Sequence, residues 1–487
     1  MGKGDITIRL DSEDFPTANV QIASLTGRER LSELFSFELD IVCHEPDELN
    51  IDMLAGSSAD LVFVHDATGD ELRRIHAVVH EVEDAIEPEA GTRGFRLWLG
   101  PRTTRLTLVE TQEVYLDMSV PEIVCEKLRR AGFVPQDIEL RLSGTYPKRE
   151  LVVQYKESDL TFISRLMEHL GITFSFEHSG GRDILILSDT NTALPALDSV
   201  PFRGRGDPRD VFDLRARKRL SPKRYDIQDY NYRTPQIANL TGGVTAPFGY
   251  GGNVVEYGSH VKTPDDAEAL ARVRAEERWC ADDYLMGKSD LATFSAGRRV
   301  VIEGHPQLGD VPVLLVEVEH HASQSTGMHG AAKGGEGGYH NTFRAVLVER
   351  TFRPPRVTPR PRILGVVSGL VVGPTGELTG DIAKIDDHGR YTIRILFDTV
   401  LSEAEQKASH PIRMAQPHAG PGYGMHFPLK PGIEVLLIFI DGDPDRPIII
   451  ASVPNHITPS PVTSANASMH RIRTASGILI ELDDANA

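Results

Sequence analysis

Residues 432–455, GIEVLLIFIDGDPDRPIIIASVPN, hold two apolar, β-branched runs, 435–440 and 448–453, on either side of a charged turn, Asp441-Gly442-Asp443-Pro444-Asp445-Arg446-Pro447. Two such runs flanking a Gly/Asp/Pro turn predict a β-hairpin. The runs are apolar at nearly every position instead of alternating, which predicts burial of both faces. A small barrel rarely hides both faces of a hairpin. The pattern therefore implies packing against something further, copies of the same chain included.

Upstream, the first ~350 residues read as strands punctuated by a few helices. Residues 60–65 and 72–82 are strand-like and joined by the turn-rich 66–70, and 95–99 and 106–109 continue the β pattern. Ser119-Val120-Pro121-Glu122 is spelled as a capping box, with Val120, Val124 and Leu128 repeating every four residues and Gly132 as the stop. A second helix is expected from about Ser158-Asp159, with Ile163, Leu166, Met167 and Leu170 as its buried stripe and Gly171 at its end. A third has Thr263 as N-cap, Pro264 in the first turn and Asp265 and Asp266 against the helix dipole, and runs to about Ala281. Short amphipathic helices of this kind pack onto β-domains; they do not make a bundle.

Two stretches read as connectors. Residues 324–339, QSTGMHGAAKGGEGGY, are Gly-rich and lie between the strand-like runs 311–321 and 342–351, as a long hairpin loop would. Residues 353–362 are basic and proline-rich, poor material for a sheet ladder, and the main domain boundary is expected there. Beyond it, 364–372, 380–385, 391–397, 412–415 and the 432–455 hairpin give about five short strands in about 90 residues, the pattern of an OB-type barrel. A Ser/Thr/Pro-rich stretch follows, then a short apolar run, 478–482, with no evident partner in its own chain.

Composition narrows the classes. A chain of 487 residues suits about three domains, and 40% hydrophobic with 25% charged residues is ordinary for a globular protein with a real core. The net charge of −18 argues against nucleic acid or an anionic membrane as the main partner. No apolar run approaches a transmembrane helix, and MGKGDITIRL lacks the apolar core of a signal peptide. Cys43, Cys125 and Cys280, odd in number and far apart, are expected as free, buried thiols.

No constellation of catalytic, cofactor-binding or metal-ligating residues emerges, so no enzyme activity, cofactor or metal is expected. Gly287-Lys288-Ser289 lacks the glycine cradle of a phosphate loop and reads as a polar turn after a helix. Asp441, Asp443 and Asp445 alternate as in a calcium loop, but Arg446 and Ser452 stand where glycine and glutamate are required, leaving turn chemistry. His320 and His321 are adjacent on a strand and point to opposite faces, which opposes joint ligation with His340 or His329. His44-Glu45-Pro46 and His80-Glu81 lack a zinc-protease partner histidine, and no G-x-S-x-G elbow exists. Residues 203–224 form the dense basic stretch, interrupted by Asp207, Asp210 and Asp213: a solvated hairpin, or else a docking surface or charged channel wall. Over 363–455, 7 Lys/Arg face 11 Asp/Glu, the wrong sign for an OB barrel that binds single strands, despite Tyr391, Phe397, Tyr423 and Phe427.

Several segments resemble the VgrG spike family of type VI secretion and its relatives in contractile-phage baseplates. Residues 22–39, IASLTGRERLSELFSFEL, are similar to the family's L-F-x-F-x-L signature, and 151–176, LVVQYKESDLTFISRLMEHLGITFSF, to its V-Q-Y-x-E-S-D segment. LRLSGTY at 140–146 is similar to the run before it. Residues 318–324 and Phe352-Arg353-Pro354-Pro355 match the end of the hub region, and 432–455 the last OB hairpin. The family's tryptophans are replaced at Ile412, His418 and Tyr423.

The resemblance implies a mainly β protein with a few helices. Residues 1–352 would form an α+β hub of two β-barrel-like domains with inserted helices, 353–362 a linker, 363–455 an OB-fold domain, and 456–487 a linker and the start of a trimeric β-prism. It further implies a homotrimer that caps an Hcp-like hexameric inner tube, meets baseplate proteins, and carries effectors and a PAAR-type tip protein if the spike is longer. Tripling a charge of −18 demands a large apolar interface. Such a spike assembles in the cytoplasm and is injected on firing, crossing a membrane mechanically without binding it or nucleic acid. The alternatives are a spike with an effector enzyme beyond Ala487, where the chain is expected to continue, and the tail hub of a phage or another contractile injector.

Overall fold

The computed structural model describes residues 6–45, 47–84, 91–204, 210–236, 240–325, 338–399 and 408–486. Contacts divide the chain into two units. One comprises Met1–Val109, Val124–Tyr146 and Ser158–Pro359; the other comprises Glu110–Ile123, Pro147–Glu157 and Arg360–Ala487.

The first unit is built on a 12-stranded sheet. Its order runs Ile6–Asp11, Ser58–His65, Glu71–Asp84, Arg93–Gly100, Ser36–Cys43, Val20–Arg30, Gly309–Ser323, Gly338–Leu347, Asp283–Ser289 and Val211–Lys218, each pair antiparallel. Arg299–His305 pairs with Gly309–Ser323 and with Val200–Pro201. Alternation sets the inner face: in Ser36–Cys43, Phe37, Leu39, Ile41 and Cys43 are buried. The sheet closes over two apolar cores, one around Phe37, Leu61, Phe63 and Leu99, the other around Phe294, Val313, Leu315 and Phe343. The unit is mainly β, as expected.

The helices form where their caps specify. Val120–Arg130 starts with Ser119 N–H and Oγ donating to Glu122 at 2.7 and 2.9 Å, and Val120, Val124 and Leu128 are buried. Asp159–Leu170 is capped by Ser158 Oγ, which accepts the Thr161 N–H, and ends at Gly171 in the left-handed region, φ 71°. Its burial is wider than one stripe, taking in Phe162, Arg165 and Glu168. Pro264–Asp282 has a full capping box between Thr263 and Asp266. This helix lies against a second sheet, Leu240–Thr245, Pro222–Asp229 and Gly251–Tyr257. A Cβ at Gly242 would collide with the backbone of Pro264 and Glu268, so the close approach of strand and helix requires glycine there.

In the second unit, Ile393–Ile395, Val367–Val371, Glu434–Phe439 and Pro447–Ser452 form one sheet in that order. The extended segment around Ile412 closes it into a barrel. Tyr391 and Ile412 exchange two backbone hydrogen bonds, and Ala415 donates to Ile449 while Ile449 donates to Arg413. Inside lie Val371, Tyr391, Ile393, Ile412, Leu437 and Ile449. Val114 and Val153, from the paired strands Glu110–Tyr115 and Val152–Ser158, and Leu151, just before the second, complete this core. Two short pieces from the stretch expected as hub thus pack with a barrel whose first strand, Val367–Val371, comes much later in the chain.

Several local expectations are corrected. Leu106 lies in a 3-10 turn, Arg102–Thr107, because the Arg102 guanidinium is held by Asp183 and Asp137; the strand starts only at Glu110. Residues 380–385 make a single bridge, Ile385 to Tyr391, in place of a strand. The Gly-rich loop is framed by paired strands, but 326–337, His329 among them, lie outside the described residues. All three cysteines are free, with Cys43 and Cys280 buried and Cys125 partly so.

Candidate assembly surfaces

Among the described residues, one face of the 432–455 hairpin is fully covered. Val435, Leu437, Phe439 and Ile449 are in the barrel core, whereas Leu436, Ile448 and Ile450 are half-buried and Ile438 is exposed. The opposite face is thus apolar and only partly covered. Close by in sequence, the hairpin formed by Ala419–Gly420 and Tyr423–Gly424 presents Tyr423, Met425 and Phe427 to solvent. Neighbouring His426 is fixed, with Nε2 2.8 Å from the Tyr391 hydroxyl and Nδ1 2.7 Å from Gln416 Nε2.

The apolar run near the C-terminus has a partner after all. Leu479–Asp483 pairs antiparallel with Met469–Arg473. The sequence reading missed it because Met469–Arg473, MHRIR, is too polar to announce a strand. A two-stranded hairpin cannot bury its own side chains. Ile472, Ile478, Leu479, Ile480 and Leu482 all remain exposed, Ile480 to 59%.

The Asp441–Asp445 turn is held by the protein's own donors. Asp445 accepts the Val153 N–H at 2.7 Å, Asp443 accepts the Asp445 N–H at 3.1 Å, and Arg360 reaches Asp443 at 2.7 Å. Asp441 takes the left-handed conformation, φ 54°, and faces Arg362 at 3.4 Å. The arginines of the linker therefore dock individually: on the other unit, Arg353 binds Glu276 at 2.7 Å and Arg356 binds Glu256 and Glu277 at 2.8 and 3.0 Å.

His320 and His321 do point to opposite faces. His320 is fully buried, with Nε2 donating to Glu29 at 2.9 Å and Nδ1 accepting from the Tyr339 hydroxyl at 2.7 Å. Arg73 clamps the same carboxylate at 2.7 Å and donates to the Phe294 carbonyl at 2.9 Å. Burial alone would push the Glu29 carboxyl up, but Arg73 and the His320 hydrogen bond outweigh it and hold it at about 2. Burial lowers the His320 pKa, keeping the ring neutral. His321 stacks on His340 at 5.3 Å on the other side. Nothing in the spacing of Glu29, Arg73 and His320 along the chain announced this buried set.

Gly287-Lys288-Ser289 belongs to the strand Asp283–Ser289, where Gly287 leaves room for the Phe343 ring, and is not a turn. The basic stretch is not one hairpin either. Val211–Lys218 pairs with Asp283–Ser289, while Pro222–Asp229 joins a different sheet; Arg205, Asp207 and Arg209 lie outside the described residues.

Residues 28–326 match the family model described as the phage tail baseplate hub (GPD). The chain belongs to this baseplate hub family. Residues 378–453 of the hub chain match the injector OB domain of type VI secretion systems and phage baseplates, a region that holds the barrel strands Ile393–Ile395, Glu434–Phe439 and Pro447–Ser452. The type VI spike protein VgrG5 of Pseudomonas aeruginosa is 31% identical over 461 residues, covering 88% of this chain and 55% of that relative. The hub chain thus spans about half the length of the curated relatives it matches. Among solved structures, the E. coli c3393 protein, a type VI component, gives a TM-score of 0.65 at 22% identity over 92% of this chain and 99% of that one. The Francisella PdpA–VgrG complex gives 0.66 at 10% identity over 99% and 83%. The resemblance to VgrG and the mainly β hub-and-OB architecture are borne out. Among the described residues no helix is long and apolar enough to cross a membrane.

Proposed function

We propose that this chain is the structural hub and puncturing spike of a contractile injection machine, capping an inner tube and carrying effectors into target cells. The observation that carries this reading is the ordered match of residues 28–326 to a baseplate hub and 378–453 to an injector OB domain. In this reading 1–352 is the hub, 353–362 the linker, 363–455 the OB domain and 456–487 the entry to the spike. It works as a homotrimer bound to a hexameric Hcp-like tube and baseplate proteins, with a tip protein and cargo riding on the spike if it is longer. The partly covered apolar face of Glu434–Phe439 and Pro447–Ser452 and the exposed Met469–Asp483 hairpin support this, because two sister copies would cover both. Burial of such surface contributes about 25 cal/mol per Å², which a chain of charge −18 needs to overcome self-repulsion. The work is mechanical, and no bond is made or broken by this chain.

Sedimentation of the purified protein at micromolar concentration tests the reading. A trimer that persists in high salt is expected; a stable monomer would sink the proposal. An assay for cell-wall hydrolysis should be blank, and turnover would favour the rival, a spike bearing an enzyme.

A further inference from the structure

We propose that Val211–Lys218 is a docking edge for an extended, carboxylate-rich segment of another polypeptide, which adds to the sheet as its next strand. This strand ends the twelve-stranded sheet and is paired on one side with Asp283–Ser289. On the other side Arg203 donates to the Val211 carbonyl at 2.8 Å and Phe202 bridges to Val211. From Asp213 to Lys218 that side carries no further partner among the described residues. Its outward N–H and C=O groups are a template for one more strand.

The side chains say what kind of strand. Arg215, Arg217, Lys218 and Arg219 are all exposed. Arg215 touches Asp213 at 2.9 Å and Lys218 lies 3.8 Å from Asp283, yet each side chain stays 70% exposed. Arg217 and Arg219 form no ion pair among the described residues, and Lys223 follows with none. Cations on an edge also serve to keep edges from pairing with one another. Lysine suffices for that, whereas three of these four are arginines, whose planar fork binds carboxylates through two parallel hydrogen bonds. Arg215 and Arg217 share a face about 7 Å apart, the repeat of alternate side chains on a facing strand. An alternating acidic strand would set a carboxylate opposite each one. A polynucleotide offers no backbone N–H or C=O to satisfy the open edge, and the rest of this acidic chain repels it.

The test uses the full chain and a fluorescent eight-residue peptide of alternating Glu and Thr, followed by anisotropy at low salt. Saturable binding is expected, weakened about tenfold or more by R215E/R217E, with circular dichroism confirming that the variant is folded. The same peptide N-methylated on every backbone nitrogen keeps every charge, loses the donors of both its edges and should lose binding. No binding of the parent peptide overturns the proposal. Equal binding of the N-methylated peptide overturns strand addition, and tighter binding of an oligo-dT of equal charge overturns the choice of a polypeptide.

Discussion

The carboxylate of Asp445 accepts the backbone N–H of Val153 at 2.7 Å, joining residues 292 positions apart. Val153 is fully buried, so no water can replace the acceptor. Asp445→Ala should therefore cost about 1–3 kcal/mol, the penalty for leaving a buried donor unsatisfied. Asp445→Asn keeps an acceptor oxygen and should recover part of that loss. Urea midpoints of the two variants check the order; equal midpoints would refute the role given to this bond.

A fragment spanning residues 360–487 should not fold to a unique state, because Val114, Leu151 and Val153 would be missing from its core. Each large aliphatic deletion from a core costs about 2–5 kcal/mol, and a domain of this size has little to spare. Loss of near-ultraviolet circular dichroism and poor amide dispersion are the expected readouts. A fragment as stable as the intact chain would contradict the packing described.

Acid should unfold the hub region in two stages. The His320 pKa is depressed, so its contribution is complete above the unfolded value of about 6.5 and fades as pH falls below it. The Glu29 carboxyl is held at about 2, so its contribution is complete above the unfolded value of about 4.3 and is lost as pH falls toward 2. His320→Gln should flatten the first slope and leave the second. Glu29→Ala leaves Arg73 and His320 buried without their anion and should cost about 3–5 kcal/mol at neutral pH. Thermal melts from pH 8 to 3 separate the two.

Ile438→Glu and Ile480→Glu place charges on apolar surface that a single chain leaves open. Each should leave the monomer's circular dichroism unchanged and move the sedimenting species from trimer toward monomer. A variant that sediments as wild type would show that its site lies outside the interface.

What the sequence made legible was local. Ser119, Ser158 and Thr263 announce helices because a cap needs only residues three or four positions away. The 432–455 hairpin is legible for the same reason: its turn and both strands are contiguous. Pairing across long separations is not encoded that way. Val114 and Val153 are apolar residues on short strands, and nothing near them says that their core forms around Tyr391 and Ile449. The assembly surfaces were half legible. Two-faced apolarity at 435–440 signalled a missing cover, whereas the polar Met469–Arg473 hid the partner of Leu479–Asp483. The basic stretch was visible, but not that its two strands enter different sheets.

The path of the chain between its two units carries a mechanical meaning. It passes from one to the other at Val109/Glu110, Ile123/Val124, Tyr146/Pro147, Glu157/Ser158 and Pro359/Arg360. A lone tether would concentrate any pull at one peptide link. Several covalent spans in parallel divide the load among them. In the role proposed for this chain, a pull on either unit would be shared by several peptide links instead of falling on one.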